Sequence, residues 1–202
     1  MEKSFWETRY SEEGFAYGTE PNAFLVSLLD RFRPGQSVLL IGEGEGRNGV
    51  WLARQGLEVT AVDQSAVGLD KARQLAQQNN VELHTVQADL GKWQWPVDEF
   101  DVVASIFVHF RPEDRQRIHR ACLGALKPGG LLILEAFTPE QLSHPSGGPP
   151  VEEMLFTEQM LREDFADAVI ESLESLAVHL EEGKYHRGPA AVLRMLACKP
   201  VA

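Results

Sequence analysis

Apolar residues in this chain fall into short unbroken runs, separated by stretches in which they recur every three or four positions. Ser37 to Ile41 (SVLLI) is such a run. It ends at a glycine, which predicts a strand buried on both faces. A helix is expected from about Arg47 to Gln55, then a β-rich strand from Glu58 to Val62 ending at Asp63. Ser65 is a good helix N-cap, and Val67, Leu69, Ala72, Leu75 and Ala76 follow at helical spacing to about Gln78. Val81 to Gln87 and Phe100 to Phe107 read as the third and fourth strands. Pro112 opens a helix that stops at Lys127-Pro128-Gly129-Gly130, and Leu131 to Ala136 is the fifth strand.

The pattern then changes. Ser143 to Pro150 carries three prolines and two glycines and predicts a mobile surface loop. A helix around Glu158 to Asp164 follows it. Val169 to about Leu180 and Ala190 to Cys198 form a closing pair of strands, with Gly183 to Gly188 as the turn. So short a connection makes that pair antiparallel. Strand–helix alternation through five units predicts an α/β, doubly wound, mostly parallel sheet of about seven strands, with a C-terminal antiparallel hairpin strand.

The chain has 202 residues, enough for one α/β domain with a sizeable core at 44% hydrophobic content. Nineteen Lys and Arg against 30 Asp and Glu leave a formal charge of −11. That balance disfavours nucleic acid, whose phosphates need clustered cations. Two cysteines outside any CxxC spacing fit a reducing compartment. The opening Met1-Glu2-Lys3-Ser4-Phe5-Trp6 has no apolar signal region, and no run approaches the roughly 20 residues of a membrane span. The expectation is a cytoplasmic protein.

Candidate chemistry starts where the first strand runs into Gly42-Glu43-Gly44-Glu45-Gly46-Arg47-Asn48. Alternate glycines permit a sharp turn and close approach of a ligand, and the following helix presents free N–H groups. Asp63 ends the next strand at the usual distance for an acid that accepts from ribose hydroxyls. Asp89, after the third strand, could accept from an exocyclic amine such as adenine N6, with Leu90 supplying an N–H. Gly44, Gly46 and Gly49 also match GxGxxG, the mark of an NAD-dependent dehydrogenase. The register opposes it, because the strand ends at Gly42 and Gly49 falls inside the helix. A P-loop motif is absent.

These residues resemble the class I S-adenosylmethionine-dependent methyltransferases. The resemblance rests on Leu40 to Gly46, Val62-Asp63-Gln64-Ser65, Gln87-Ala88-Asp89-Leu90, Phe100-Asp101-Val102-Val103 and Leu126 to Leu132, in family order and spacing. Gly46-Arg47-Asn48, the opening Trp6-Glu7-Thr8-Arg9-Tyr10, Tyr17-Gly18 and Pro21-Asn22 are similar to the small-molecule branch, which includes the tellurite-resistance and thiopurine types. The resemblance implies a single Rossmann-like domain, with residues 1–34 as a helical lid and 35–202 as the core. It implies S-adenosylmethionine as cofactor, S-adenosylhomocysteine as product, and a small-molecule acceptor. By the same token Gly42, Gly44 and Gly46 line the methionine part, with Glu43, Arg47 and Asn48 beside them. Asp63 and Gln64 serve the ribose, and Asp89 and Leu90 flank the adenine. Ile106 and Phe107 lie near the methionine and substrate, while Arg9, Tyr10 or Tyr17 reaches the cofactor from the lid. Glu43 departs from the Cys or Thr common at that place. It is tolerable facing the ammonium or sulfonium, or balanced by Arg9 or Arg47.

An activated sulfonium methyl needs alignment more than a base. The candidate proton acceptors are His109 after the fourth strand, Tyr185 and His186 in the hairpin turn, and His144 in the loop. His119, on a helix, has no ligand-spaced partner, and no metal site is expected. The other readings are a cofactor-binding sensor or scaffold without transfer activity and, more weakly, the dehydrogenase. Neither the acceptor atom nor the oligomeric state can be read from the sequence.

Overall fold

The computed structural model describes residues 3–201. Met1, Glu2 and Ala202, the outer ends of the expected lid and core, lie outside the described residues. Contacts group the chain into two compact units. One runs up to Trp93 and includes Glu182–Tyr185, and the other consists of Gln94–Glu181 and His186 onward.

In the first unit, helices α1 (Lys3–Tyr10) and α2 (Ala23–Ser27) precede strand β1 (Ser37–Ile41). Helix α3 (Arg47–Arg54), β2 (Glu58–Asp63), α4 (Ala66–Gln78) and β3 (His84–Gln87) follow. Parallel pairing runs from Ser37↔Glu58 to Ile41↔Val62, and from Thr60↔His84 to Asp63↔Gln87. Val38, Leu39, Leu40 and Ile41 are all buried, as a two-faced strand requires. Ser65 caps α4 by accepting from Gly68 N–H, and α4 buries Leu69, Ala72, Leu75 and Ala76 on one face. β3 is shorter than its apolar pattern suggests. Val81 and Leu83 pack against Val50, Leu75 and Ala76, and Asn80 sits at φ 56°, so the chain turns before pairing begins.

In the second unit, β4 (Phe100–Ile106) pairs in parallel with β5 (Leu126–Phe137), and α5 (Pro112–Ala125) connects them. Helix α6 (Glu158–Asp164) is capped by Thr157. Strands β6 (Val169–Glu182) and β7 (His186–Cys198) close the chain. β7 is antiparallel to β5, from Leu131↔Cys198 to Phe137↔Val192. The seven strands are hydrogen-bonded in the order β3-β2-β1-β4-β5-β7-β6, the doubly wound, mostly parallel sheet with its antiparallel hairpin.

Three expectations change. Lys127-Pro128-Gly129-Gly130 belongs to β5 and does not end a helix there. Pairing jumps from Phe100↔Leu126 to Val102↔Leu131, so the tetrapeptide bulges, held by Gly129 N–H on Lys199 O at 2.8 Å. The proline-rich loop is anchored. Gln141 Nε2 donates to Ser146 Oγ at 3.0 Å, and Ser146 Oγ donates to Pro189 O at 2.5 Å. The hairpin turn is tighter than Gly183 to Gly188, because β7 already starts at His186.

Candidate functional site

The glycine loop closes the first unit's sheet with three left-handed residues, Gly42 at φ 59°, Gly44 at 62° and Gly46 at 92°. Two of them are also demanded by neighbours. A Cβ on Gly44 would lie 2.5 Å from the Tyr10 hydroxyl, and one on Gly46 would lie 2.7 Å from Ala72. The bare backbone therefore lets α1 and α4 approach the loop.

Asp63 is buried at the end of β2. Its Oδ2 accepts from Gly44 N–H at 2.9 Å and its Oδ1 from Ser65 N–H at 2.8 Å. Gln64 N–H bonds the same carboxylate, which still has acceptor capacity to spare. Burial pushes its carboxyl up to about 6 against those bonds. Glu43 turns beneath the loop, where Oε1 accepts from Gly49 N–H at 2.7 Å. It thus fills the amino end of α3. Burial drives its carboxyl up to about 7, opposed by the bonds from Gly49 and Asn48 and by Arg47. Arg47 pairs with Glu182 at 2.8 Å. Asn48 Oδ1 accepts from Asn22 N–H at 2.9 Å. Gln64 is half-buried, and its carbonyl accepts from the Gln87 amide at 3.2 Å. Asp89 is exposed and caps its own turn through Gly91 N–H at 2.9 Å, with Leu90 half-buried beside it.

The amino-terminal segment is tied to this loop by residues that no sequence spacing singles out. Glu45 is buried, accepting from Ala16 N–H at 2.7 Å and from Lys71 Nζ at 2.9 Å. Glu7 accepts from Ala66 and Val67 N–H at 3.0 and 3.4 Å, which occupies the amino end of α4. Arg9 stacks 3.5 Å above the Tyr185 ring and donates to the Tyr17 hydroxyl at 3.3 Å. The Tyr185 hydroxyl donates to Glu12 at 2.5 Å. Bonds from Lys184 and Tyr185 hold the Glu12 carboxyl below its ordinary value.

In the second unit, Ile106 ends β4 and is buried, and Phe107 after it takes a left-handed φ of 56°. Phe107 stacks on Phe137 with centroids 4.6 Å apart, and the His186 ring stands edge-on to both. His186 is the buried first residue of β7, while Arg187 is exposed, so this turn separates the side chains that sequence reading crowds together. His109 has both ring nitrogens engaged. Nδ1 meets Met154 O at 2.7 Å and Nε2 accepts from Phe137 N–H at 3.1 Å. Burial drives it down to about 4. It is a staple, and as a base it would first have to break its own bonds. His119 is fully buried with Nδ1 at 2.7 Å from Asp164, which also takes Arg115 at 2.7 Å. His144 is half-buried in the anchored loop.

Residues 38–130 match the family model for the methyltransferase domain. That stretch is similar to the class I S-adenosylmethionine-dependent methyltransferases. Over 115 residues it is 37% identical to the ubiquinone/menaquinone biosynthesis C-methyltransferase UbiE of Vibrio campbellii, covering 53% of this chain and 44% of that one. The chain thus spans less than half the length of the curated relatives it matches. A protein solved in work on conversion of a disulfide bond into a thioacetal group during echinomycin biosynthesis superposes with a TM-score of 0.81 at 18% identity, covering 98% of this chain and 91% of that one. TehB from Haemophilus influenzae superposes with a TM-score of 0.71 at 19% identity, covering 98% and 66%.

The donor set of this loop suits S-adenosylmethionine better than a dinucleotide. A pyrophosphate seeks a free helix amino end. Here Glu43 occupies that of α3, and Glu7 and Ser65 occupy that of α4. Among the described residues, neither Glu43 nor Asp63 has a cation within salt-bridge distance, Arg47 acting on Glu43 from further away, whereas Glu45 is paired with Lys71.

Proposed function

We propose that this protein transfers the methyl group of S-adenosylmethionine to a small-molecule acceptor in the cytoplasm. One observation carries the reading: two buried carboxylates at the glycine loop, Glu43 and Asp63, have no cation within salt-bridge distance among the described residues. A sulfonium and an ammonium supply that missing charge, whereas two phosphates would add to the repulsion. Asp63 would hold the ribose diol through its remaining lone pairs, with Gln64 next to it. Asp89 and Leu90 would flank the adenine. Gly42, Gly44 and Gly46 would line the methionine portion, with Arg9 and Tyr17 reaching it from the amino-terminal segment. Ile106 remains assigned to the methionine by resemblance alone.

The relatives act by name on carbon or oxygen of quinone precursors, which supports a small acceptor here without selecting its nucleophilic atom. Net acidity disfavours a nucleic acid partner. Two free cysteines support a reducing compartment, and among the described residues no helix is long and apolar enough to cross a membrane.

His186 is the proposed proton acceptor. His109 and Tyr185 are already bonded to other groups, so their share in proton transfer requires those bonds to open. The same observation favours a second reading, in which the domain binds cofactor as a sensor and transfers nothing.

Calorimetry with S-adenosylmethionine against NAD tests the cofactor. Saturable binding of the first only is the expected result. Product formation with thiols, selenium and tellurium oxyanions and small amines then separates enzyme from sensor. His186→Ala should slow turnover on a true acceptor and leave cofactor affinity unchanged.

A further inference from the structure

Residues 10–22 of the first unit form a strap with two differently built edges. The inner edge meets the glycine loop through buried bonds, from Glu45 to Ala16 N–H at 2.7 Å and from Asn48 to Asn22 N–H at 2.9 Å. Tyr10 sits so close above the loop that a Cβ on Gly44 would reach its hydroxyl at 2.5 Å. The outer edge meets the hairpin tip, residues 182–185. There Lys184 N–H donates to Ala16 O at 3.0 Å, and Asn22 Nδ2 donates to Glu182 at 3.0 Å. Gly18 at φ 73° and Gly183 at φ 69° face one another so closely that a Cβ on Gly183 would lie 2.3 Å from Gly18 N and 2.4 Å from Tyr17 C.

One side chain takes two groups of the hairpin tip at once. Glu12 takes the Tyr185 hydroxyl on Oε1 and Lys184 Nζ on Oε2, each at 2.5 Å. Its own carbonyl and that of Gly14 receive Lys71 Nζ at 2.9 and 2.5 Å. The Tyr185 ring that Glu12 fixes is the surface on which Arg9 lies. The charged pair is solvent-exposed, at 65% for Lys184 and 40% for Glu12. Exposed pairs are screened by salt and open cheaply, while the inner bonds are not screened. The strap therefore hinges most easily on its outer edge.

We propose that Glu12 is a positioning residue that latches this strap to the hairpin tip and sets how fast cofactor enters and leaves the glycine loop. The inference rests on the proposed cofactor reading. Anything seated on Gly44 must pass Tyr10, and Tyr10 is carried by the strap. The latch acts on rates because a strap that closes over bound ligand slows its escape in proportion to the time it stays shut.

The experiment measures S-adenosylhomocysteine dissociation by stopped-flow displacement for the wild type, Glu12→Ala, Glu12→Gln and Gly183→Ala. Hydrogen exchange of residues 10–22 is measured on the same proteins without ligand. Loss of a hydrogen bond to a charged group speeds an opening by roughly tenfold or more. Glu12→Ala is expected to accelerate dissociation by about that factor, and Glu12→Gln, which keeps an acceptor for Tyr185, by about threefold. Salt should accelerate the wild type and leave Glu12→Ala unaffected. Gly183→Ala should match or exceed Glu12→Ala, since it forces the tip away by backbone contact. Faster exchange confined to residues 10–22 with an unchanged melting temperature supports the latch. Wild-type dissociation and exchange rates in Glu12→Ala and Gly183→Ala overturn it. Failure of the wild type to bind S-adenosylhomocysteine overturns the cofactor reading instead, and the exchange data still judge the strap.

Discussion

The second unit pairs its buried acids with cations, whereas the first does so at Glu45 with Lys71 but not at Glu43 or Asp63. In the second, Asp164 is wedged between Arg115 and His119, and Glu135 takes Arg194 at 2.6 Å. Burial alone would raise the Asp164 carboxyl, but the bonds from His119 and Arg115 outweigh it and hold it below the ordinary carboxylate value. In the first unit burial wins at Glu43 and Asp63, with values near 7 and 6, against backbone N–H groups and, at Glu43, the more distant Arg47 and the neighbour Asn48. Acids that are internally paired make a scaffold. Acids left short of positive charge cost stability, and under the proposed function a cationic ligand would recover it.

The sharpest way to break this contrast is to remove a paired acid. Asp164→Ala leaves Arg115 and His119 facing a cavity without their anion. Breaking a buried pair from one side costs roughly 3–5 kcal/mol. Urea denaturation should show a loss of that order, and a loss below about 1 kcal/mol would mean the pair is solvated in practice.

Next in size is the response to pH, which should run in opposite directions in the two units. His109 is depressed to about 4 from an ordinary 6.5, so below 6.5 the unfolded chain binds the extra proton. Stability from His109 is full above 6.5 and is lost as pH falls towards 4. Glu43 and Asp63 are raised to about 7 and 6, so between their unfolded values and these the folded chain binds the extra protons. Their contribution is full in acid and is lost as pH rises through 6 and 7. Each is on the order of 3 kcal/mol, so they partly cancel in the wild type. His109→Gln should leave a protein that loses stability with rising pH. Removing both acids, Glu43→Gln with Asp63→Asn, should leave one that gains it. Denaturation midpoints from pH 4.5 to 8, a span set by these values, would reject the contrast if both variants kept the wild-type slope.

What was legible in the sequence follows the same divide. The strand runs and the helix cap at Ser65 are local chemistry, and they appear where periodicity puts them. The glycine loop and Asp63 were legible because a sharp turn and a strand-end acid are written in consecutive residues. Glu45, Glu7 and Glu12 were not, because their partners lie 29, 59 and 173 residues away and are backbone or turn groups without a motif. His109 read as a base because its carbonyl and N–H partners, Met154 and Phe137, cannot be foreseen from spacing. The bulge at Lys127 to Gly130 was hidden for a like reason: Lys199, which holds it, belongs to the end of the chain.

Smaller still is the effect expected of charge at Glu43. Glu43→Gln keeps an oxygen for Gly49 N–H and removes the carboxylate. If that charge faces the sulfonium, affinity for S-adenosylmethionine should fall by about fivefold to tenfold near pH 8. Affinity for S-adenosylhomocysteine, which lacks the sulfonium charge, should move by less than about twofold. Calorimetry with both ligands decides it: equal losses would place the charge at the ammonium that both ligands keep, and no loss for either would assign Glu43 to capping alone.

The smallest effect sharpens that assignment. Gly49 lies inside α3, where alanine is favoured over glycine by about 1 kcal/mol. A Cβ there would meet Glu43 Oε1 at 3.3 Å and the methyl ends of Leu40 and Leu83 at 3.4 Å. The leucines are at ordinary contact, so the carboxylate is the group that must give way. Pushing it back lengthens the bond from Gly49 N–H, and the lost cap offsets the helix gain. Gly49→Ala should therefore change stability by less than about 0.5 kcal/mol in the wild type. In a Glu43→Ala background the same change should stabilise by about 1 kcal/mol, since nothing remains to be displaced. A double-mutant cycle with no coupling would show that this glycine was not kept for the acid beneath it.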